Sequence, residues 1–485
     1  MRLLTKKIVP AAFLLFLFGT GCKKSLDINQ DPNNPAIEQG TPTIVFPAGV
    51  MSTAGRVGGD MAILGGIWAQ YWTQSATANQ YKYIDAYNVK SADFNGAYNE
   101  LFSGALNDYQ FVIGKAREQQ NWKYLLMGTV MRAYTYQVLV DLYDRVPYSE
   151  AFQGLNNLQP RFEDGYTVYK GLLAELDSAL AKDYRSGTFS ERDQKADLLF
   201  GGDMEKWTQF ANTLKLKMFL RMVNKKPAEA EAGIRALYAA GADFLAEDAA
   251  VTGFSDAPDK SNPMYEYNVR NLNVQTNLRA SRTLLTYLLA KGDPRRPEYF
   301  TNSTGINQGD YATTSTTAQN AGVVIQDPTE PVRFISEAES YFLQAEALER
   351  YFGGSGAEAL YDRGVQAAFN QVGVSAAGFV GGTYAYPSGG SFDQKLEAII
   401  TQKWISFFGS HALEGFFEKN RTGYPRTSTV YSDNPAYVPG QFVISRNAVT
   451  NGQLPKRLVF PDVERNRNNN TPAEVPITTP VWWAL

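Results

Sequence analysis

The strongest architectural signal in the sequence lies at residues 345–369, AEALERYFGGSGAEALYDRGVQAAF. Gly353 to Gly356 interrupt a helical pattern, and a further helix is predicted from about Ala357 to Gln371. The helix before the glycines is predicted because apolar residues recur there at three- and four-residue steps: Ala338, Tyr341, Phe342, Ala345 and Leu348. Two helices joined by a tight turn form an antiparallel pair. The pair has the size of a tetratricopeptide-like unit, although one unit does not establish a repeat array.

The same periodicity predicts helices elsewhere in the chain. One buried helix face is carried by Trp122, Leu125, Leu126, Thr129, Ala133, Tyr136, Val140 and Tyr143. Asp203 is a candidate N-cap for a helix whose face carries Trp207, Phe210, Ala211, Leu214, Met218 and Met222. Asp164 or Gly165 is predicted to begin another helix that ends near Leu180, and helices are also expected around 95–118 and 392–411. The predicted fold class is therefore mostly α, with tetratricopeptide-like helices within about 95–225 and 335–415.

Long segments between the helices are rich in Asn, Gly, Thr, Ser and Pro. They cover residues 250–280, 302–334 and 424–455. Loops of this length in a compact protein are usually functional or disordered, and disorder favours fewer aromatic residues than these segments contain. We therefore expect a helical scaffold that carries long binding loops. Asp293-Pro294-Arg295-Arg296 is interpreted as a helix stop with a surface ion pair.

The N-terminus has the pattern of a bacterial lipoprotein signal. Arg2, Lys6 and Lys7 precede an apolar run, and Gly19-Thr20-Gly21 precede Cys22, the only cysteine of the chain. A cationic head, a short apolar region and small residues at the cleavage site mark a secretory signal. A lone cysteine in an exported protein has no internal disulfide partner, which favours lipidation over an ordinary signal or a short anchor. We predict a signal peptide at 1–21, a lipidated extended tether at 22–47 and a single globular domain at 48–485.

Composition excludes several classes of function. The formal charge is −3, and it becomes −6 without the signal peptide, with 43 Lys and Arg against 49 Asp and Glu. Nucleic acid is therefore not an expected partner, because phosphate binding needs a basic face. His411 is the only histidine, and Cys22 is committed to the anchor. We expect no metal site, no cofactor and no catalytic residues of the Cys–His or serine-hydrolase kind.

Two aromatic clusters are candidates for a ligand site. The denser one contains Trp68, Trp72, Tyr81, Tyr83 and Tyr87, interleaved with asparagine and glutamine. Sugar rings stack their apolar faces on aromatic side chains, and amides bond their hydroxyl groups. The alternative is that the tryptophans form one buried helix face with Tyr71, since their spacing fits that as well. The second cluster contains Tyr265, Tyr267, Asn268 and Arg270, whose alternation also fits a short edge strand.

Six stretches in order resemble the SusD/RagB family of nutrient-binding lipoproteins, SusD-like branch. They are LDINQDPNNP (26–35), DLYDRVPYSEAF (141–152), WTQFANTLKLKMFLR (207–221), FISEAESYFLQAEA (334–347), KWISFFGSHALEGFFEKNRTGYP (403–425) and PKRLVFPDVERNRN (455–468). Each motif alone is weak, but six in order behind a lipidation signal are specific. One departure is Asn420-Arg421, where some members carry two arginines.

The resemblance implies a role rather than a ligand. Family members are lipid-anchored at the outer membrane, mostly α-helical, and act as lids over a SusC/RagA-type TonB-dependent transporter. They capture oligosaccharides or peptides without a cofactor. Two alternatives remain at the level of sequence, a glycosidase with paired carboxylates and a structural surface protein. A binding protein would leave its ligand intact, whereas a glycosidase would cleave it. A binding protein would also bind a soluble ligand saturably, whereas a structural surface protein would not.

Overall fold

The computed structural model describes residues 40–485, so the predicted signal peptide, Cys22 and most of the predicted tether lie outside the described part. The globular domain begins earlier than predicted. Helix α1 spans Pro42–Val57, and residues 42–47 therefore belong to a helix rather than to an extended tether. The physical reason is an apolar face at three- and four-residue spacing, in which Phe46, Val50 and Ala54 are fully buried.

The scaffold is helical, as predicted. After α1 the N-terminal half contains α2 (Asp60–Trp68), α3 (Lys82–Asp85), α4 (Asn95–Asn99), α5 (Asn107–Glu118), α6 (Trp122–Tyr143), α7 (Gly165–Leu180), α8 (Glu191–Ala196), α9 (Met204–Met222) and α10 (Pro227–Ala239). The π-helical segment Glu100–Leu106 joins α4 to α5. The C-terminal half contains α11 (Pro263–Tyr265), α12 (Arg282–Lys291), α13 (Arg296–Tyr299), α14 (Thr316–Gln319), α15 (Glu337–Tyr351), α16 (Ala357–Asn370), α17 (Phe392–Ser406), α18 (Leu413–Thr422) and α19 (Asp462–Arg465).

The predicted helix starts are confirmed by their caps. Asp203 Oδ1 accepts hydrogen bonds from the backbone N–H groups of Glu205 and Lys206, at 3.0 and 3.3 Å. Asp164 Oδ1 accepts one from Thr167 N at 3.0 Å. Each cap satisfies backbone donors that the first turn of a helix leaves free.

Helices α15 and α16 form the predicted antiparallel pair. Gly356 adopts a positive φ of 84° in the turn, and Gly364 lets α16 approach α15, because a Cβ there would lie 2.7 Å from Phe342 Cε1. Helix α17 packs against both members of the pair. The helix expected at 392–411 ends at Ser406, since Gly409 has a positive φ of 96°, and α18 begins at Leu413.

Strands are few and short. They pair as three two-stranded antiparallel sheets: β1 (Trp72–Gln74) with β5 (Leu278–Ala280), β2 (Arg145–Pro147) with β3 (Phe162–Asp164), and β4 (Ala249–Val251) with β6 (Val332–Ile335). The first sheet matters most for the site. Its register pairs Gln74 with Leu278, so the loop after β1 and the loop before β5 leave the sheet side by side.

A buried ionic network holds the long helices together. Arg221 of α9 contacts Asp141 of α6 at 3.1 Å and Glu414 of α18 at 2.6 Å, and all three side chains are at most 2% exposed. Arg421 of α18 contacts Glu346 of α15 at 2.6 Å. Buried charges are tolerated only when they are paired, and removing one partner costs about 3–5 kcal/mol. Polar residues on these helices therefore serve the scaffold.

Candidate functional site

The structure places Trp68 and Trp72 in the core, which corrects their prediction as ligand-binding residues. Trp68 is 2% exposed and Trp72 is fully buried. The indole N–H of Trp68 donates to Ile84 O at 3.1 Å, and that of Trp72 donates to Ile63 O at 3.2 Å. Both rings have apolar neighbours and satisfied polar groups, so the alternative of a buried helix face is the one that the structure shows.

Tyr81 and Tyr87 are also buried, so neither offers an open ring face to a ligand. Tyr81 is 7% exposed and Tyr87 is 2% exposed. Both tyrosines flank the short helix α3, which is held against the core by hydrogen bonds to the carboxylate of Asp85. Asp85 accepts hydrogen bonds from Thr73 Oγ1 at 2.6 Å, Gln74 N at 2.8 Å and Gln308 Nε2 at 2.8 Å. Tyr83 alone of this cluster is half-buried.

The second predicted cluster also contains both buried and half-buried residues. Asn268 is fully buried, and within the described chain neither of its amide atoms has a hydrogen-bond partner. Burial rules it out as a surface ligand residue. Tyr265 and Tyr267 are half-buried, in a helical segment rather than in the edge strand that alternation allowed. Arg270 is held by Asp256 at 2.5 Å and Glu266 at 3.2 Å, and it lies over the ring of Tyr265.

The two clusters meet around Asp60, the first residue of α2. Helix α2 contacts both α3 and α11. Asp60 contacts Arg56 at 3.5 Å, and Arg56 Nη1 donates a hydrogen bond to the hydroxyl oxygen of Tyr267. Burial raises the pKa of Asp60 to about 6, while Arg56 opposes the rise. Burial also raises the pKa of Tyr83 to about 12, with further contributions from the carboxylates of Asp93 and Asp60.

Exposed amides lie on the two segments that carry Tyr83 and Tyr267. The loops after β1 and before β5 lie side by side, joined by Ser75 N donating to Asn277 O at 2.7 Å. Their exposed side chains include Asn79, Gln80, Asn271, Asn273 and Gln275. We call residues 75–83 and 265–277, with Asp60, the loop face. Tyr267 also lines an adjacent cleft of about 510 Å³ between α1 and residues 251–267. The loop face thus offers exposed amides beside half-buried phenol rings and one half-buried carboxylate.

A second cleft was not predicted from the sequence. It has a volume of about 570 Å³ and lies between α12, α17 and the segments 383–387 and 438–441. We call it the tyrosine cleft, because Tyr287, Tyr361 and Tyr384 line it. Sequence reasoning missed it because these residues are distant in the chain and no local motif joins them. The same reasoning also missed Arg56 and Asp60.

Residues 40–485 contain no group of three or more His, Cys, Asp and Glu side chains placed to hold a metal ion. Among the helices of that same range, none combines the length and the apolar character that crossing a membrane requires.

Comparison with solved structures shows the fold. A SusD homolog from Bacteroides uniformis matches with a TM-score of 0.74 at 22% identity, over 91% of this chain and 99% of that one. A SusD-like protein from Bacteroides thetaiotaomicron gives 0.70 at 22%, covering 91% and 98%. A chitin-binding SusD homolog from Flavobacterium johnsoniae gives 0.69 at 22%, covering 92% and 96%. A search of curated proteins found no match.

The family itself is shown by sequence. A family model with the description "Starch-binding associating with outer membrane" matches residues 50–461, which is most of the chain. SusD-like proteins bind carbohydrate and are not catalytic, so the expectation of a binding protein rather than an enzyme is confirmed. With its tetratricopeptide-like helical fold and its open loop face, the chain belongs to the SusD-like family of starch-binding proteins associated with the outer membrane.

Proposed function

We propose that the protein captures an oligosaccharide at the bacterial surface and delivers it to a SusC/RagA-type TonB-dependent transporter. The observation that carries the proposal is the family match over residues 50–461, whose description is starch-binding. The chitin-binding relative adds support for a glycan ligand. Starch and chitin are both neutral pyranose polymers, so the ligand class that we propose is a neutral oligosaccharide.

The loop face is the proposed capture site. A pyranose ring has an apolar C–H face and a rim of hydroxyl groups, and sites for such ligands combine aromatic walls with a few fixed polar groups. Tyr83 and Tyr267 supply partly open phenol rings, and Asn79, Gln80 and Asn271 supply both donors and acceptors. Asp60 can accept hydrogen bonds from sugar hydroxyls. Arg270 acts within the face by holding Tyr265 and Glu266 in place.

The capture site is tested by titration with maltohexaose and with N-acetylated chitohexaose. Tyr83→Ala is expected to weaken binding about tenfold, because a stacked aromatic ring contributes roughly 1 kcal/mol or more. Tyr351→Ala is the matched control, a half-buried tyrosine at the end of α15, and should leave the affinity unchanged. Equal affinities for the wild type and Tyr83→Ala would overturn this placement. A peptide that binds where both sugars fail would overturn the ligand class.

Anchoring through Cys22 is the second element of the proposal. Signal cleavage before Cys22 leaves its thiol at the new N-terminus, where two or more acyl chains give stable attachment to a membrane. Cys22→Ala is expected to lose the acyl mass in mass spectrometry and to leave the outer-membrane fraction. A lipid-modified N-terminus in the Cys22→Ala protein would contradict the anchor.

Delivery requires contact with a transporter. Mild-detergent extraction of outer membranes should recover the protein together with a large β-barrel protein that depends on a proton-motive-force coupling system. The protein recovered alone, under conditions in which it still binds oligosaccharide, would contradict delivery and leave capture standing.

A further inference from the structure

The tyrosine cleft has the size of a ligand site and lies apart from the loop face. Its volume of about 570 Å³ falls within the roughly 300–1,000 Å³ typical of small-molecule sites. None of its lining residues belongs to the loop face or to the adjacent 510 Å³ cleft. The cleft lies over a hydrophobic cluster that is formed by buried residues of α15, α16 and α17.

One wall of the cleft is fixed by a buried ion pair. Tyr384 Oη donates a hydrogen bond to Asp293 Oδ2 at 2.6 Å, and Arg295 Nη2 contacts the same oxygen at 2.6 Å. Both charged side chains are fully buried, which corrects the sequence interpretation of a surface pair. The guanidinium also lies 4.2 Å from the ring centroid of Phe369. Tyr384 is therefore held in place before any ligand arrives, and this lowers the entropic cost of binding.

The opposite wall depends on a glycine. Gly440 has a positive φ of 89°, and a Cβ on it would lie 2.7 Å from Tyr287 Cδ2. The segment 438–441 can approach Tyr287 this closely only because residue 440 has no side chain. The rings of Tyr287 and Tyr384 are within 7° of parallel, with centroids 6.3 Å apart. Both walls are thus built by specific residues rather than left by loose packing.

The charged side chains at the cleft sum to zero, with Arg426 and Lys291 on one side and Glu397 and the neighbouring Asp393 on the other. Arg426 contacts Glu397 at 3.2 Å and Asp393 at 2.8 Å. The remaining polar lining is mostly amide and hydroxyl, including Gln394, Gln441, Thr383 and Thr401. Amides and hydroxyls provide both donors and acceptors. A lining of this kind suits a neutral ligand with many hydroxyl groups better than an anion or a cation.

An extended peptide fits the cleft less well. Peptides commonly bind by adding a strand to an open sheet edge. The cleft is lined by α12, α16, α17 and turn segments, and none of the six strands described above contributes a lining residue. Tyr287 is the one half-buried tyrosine of the lining, and its ring offers a surface on which a sugar ring can stack.

We propose that the tyrosine cleft is a second saccharide subsite, which binds a neutral pyranose unit independently of the loop face. This proposal rests on the proposed function for its ligand class. Two subsites on one chain would hold two parts of a long polymer, and each would raise the effective concentration of ligand at the other.

The test uses short probes that occupy one subsite each, maltotriose and N-acetylated chitotriose, in isothermal titration of the full mature protein. Ala290→Trp fills the cleft from an exposed position of α12 and should cost little stability. Ala232→Trp is the matched control on exposed α10. Gln441→Ala, in a turn, provides a second cleft variant should the tryptophan disturb folding. Thermal melts of all variants verify the fold.

The wild type is expected to bind two trisaccharides, Ala290→Trp one, and Ala232→Trp two. Tyr83→Ala should weaken binding at the other site about tenfold. A wild type with a single site that Tyr83→Ala weakens and Ala290→Trp leaves intact would overturn this inference alone. A single site that Ala290→Trp removes would support the cleft and overturn the loop face as the capture site. A wild type that binds neither sugar would overturn both the subsite and the proposed function.

Discussion

The stretch from Trp68 to Tyr87 and the tyrosine cleft contain similar residues but differ in what surrounds them. In the first, aromatic residues are dense in the sequence, yet Trp68, Trp72, Tyr81 and Tyr87 are buried. In the second, the half-buried Tyr287 and the buried Tyr384 come from distant parts of the chain and line a cleft. Aromatic density in a sequence therefore does not predict exposure, because exposure depends on which elements pack above each ring.

Buried polar groups also have different partners in the two regions. The indole N–H groups of Trp68 and Trp72 bond backbone carbonyls of their own neighbourhood, Ile84 O and Ile63 O. The carboxylate beneath that cluster, Asp85, is bound by hydroxyl and amide donors. The carboxylate beneath the cleft, Asp293, is bound by the cation Arg295 and orients Tyr384. A buried polar group thus stabilises a closed core in one region and positions the wall of an open cleft in the other.

The largest effect is expected from Trp72→Ala. Truncating a fully buried tryptophan should lower the free energy of unfolding by about 3–5 kcal/mol, measured by urea denaturation. Trp122→Ala, at the half-buried start of α6, should cost less. A loss below about 1 kcal/mol combined with weakened oligosaccharide binding would mean that Trp72 faces a ligand after all.

Tyr384→Phe tests the support of the cleft. It removes the hydrogen bond to Asp293 and should lower the free energy of unfolding by about 1.5–3 kcal/mol, the range for bonds to charged groups. Tyr351→Phe, half-buried and outside the cleft, is the control. A variant as stable as the wild type would show that Asp293 does not hold the cleft wall.

A pH series tests the buried carboxylate of Asp85. Burial raises the pKa of Asp85 to about 6, so the folded state binds a proton more readily than the unfolded state. The contribution of Asp85 to stability is then present below about pH 4 and is lost as the pH rises through about 6, by up to about 3 kcal/mol. Asp85→Asn should remove that part of the slope. Parallel stability curves for the two proteins between pH 4 and pH 6 would contradict it.

The smallest effect is expected as a difference in stability between Gly440→Ala and Gly241→Ala. A positive φ costs a non-glycine residue about 1–2 kcal/mol, and the close approach to Tyr287 adds to that cost. Gly241→Ala is the control for the cost of the positive φ alone, because Gly241 has a φ of 66° and open space around it. The difference between the two variants then measures the cost of the contact with Tyr287. Gly440→Ala should therefore be less stable than Gly241→Ala by about 1 kcal/mol. Equal melting temperatures would mean that segment 438–441 moves freely over the cleft.

Helices were predictable where a local signal was sufficient. The caps at Asp164 and Asp203 and the periodic faces of α6, α9, α15 and α16 lie within single segments, and the structure confirms them. The start of α1 was missed, because Pro42 and Pro47 and the surrounding polar residues resembled a tether. A proline in the first turn is compatible with a helix, since that turn has no bond for its missing N–H.

The candidate sites were less predictable, because they are made by contacts between segments. Tyr83 and Tyr267 were in the predicted set, but Asp60, around which they meet, has no distinguishing local motif. Asp293 and Arg295 look like surface charges in the sequence and become a buried pair only when α12 packs near Phe369 and Tyr384. Pairings of this kind require the tertiary structure.

The account depends most on capture of an oligosaccharide without conversion. The direct measurement is a titration of the mature protein with maltohexaose and N-acetylated chitohexaose, followed by mass spectrometry of the recovered sugar. The account predicts saturable binding of at least one of them and recovery of the sugar at its original mass. Shortened products, or no binding of either sugar at millimolar concentration, would contradict it.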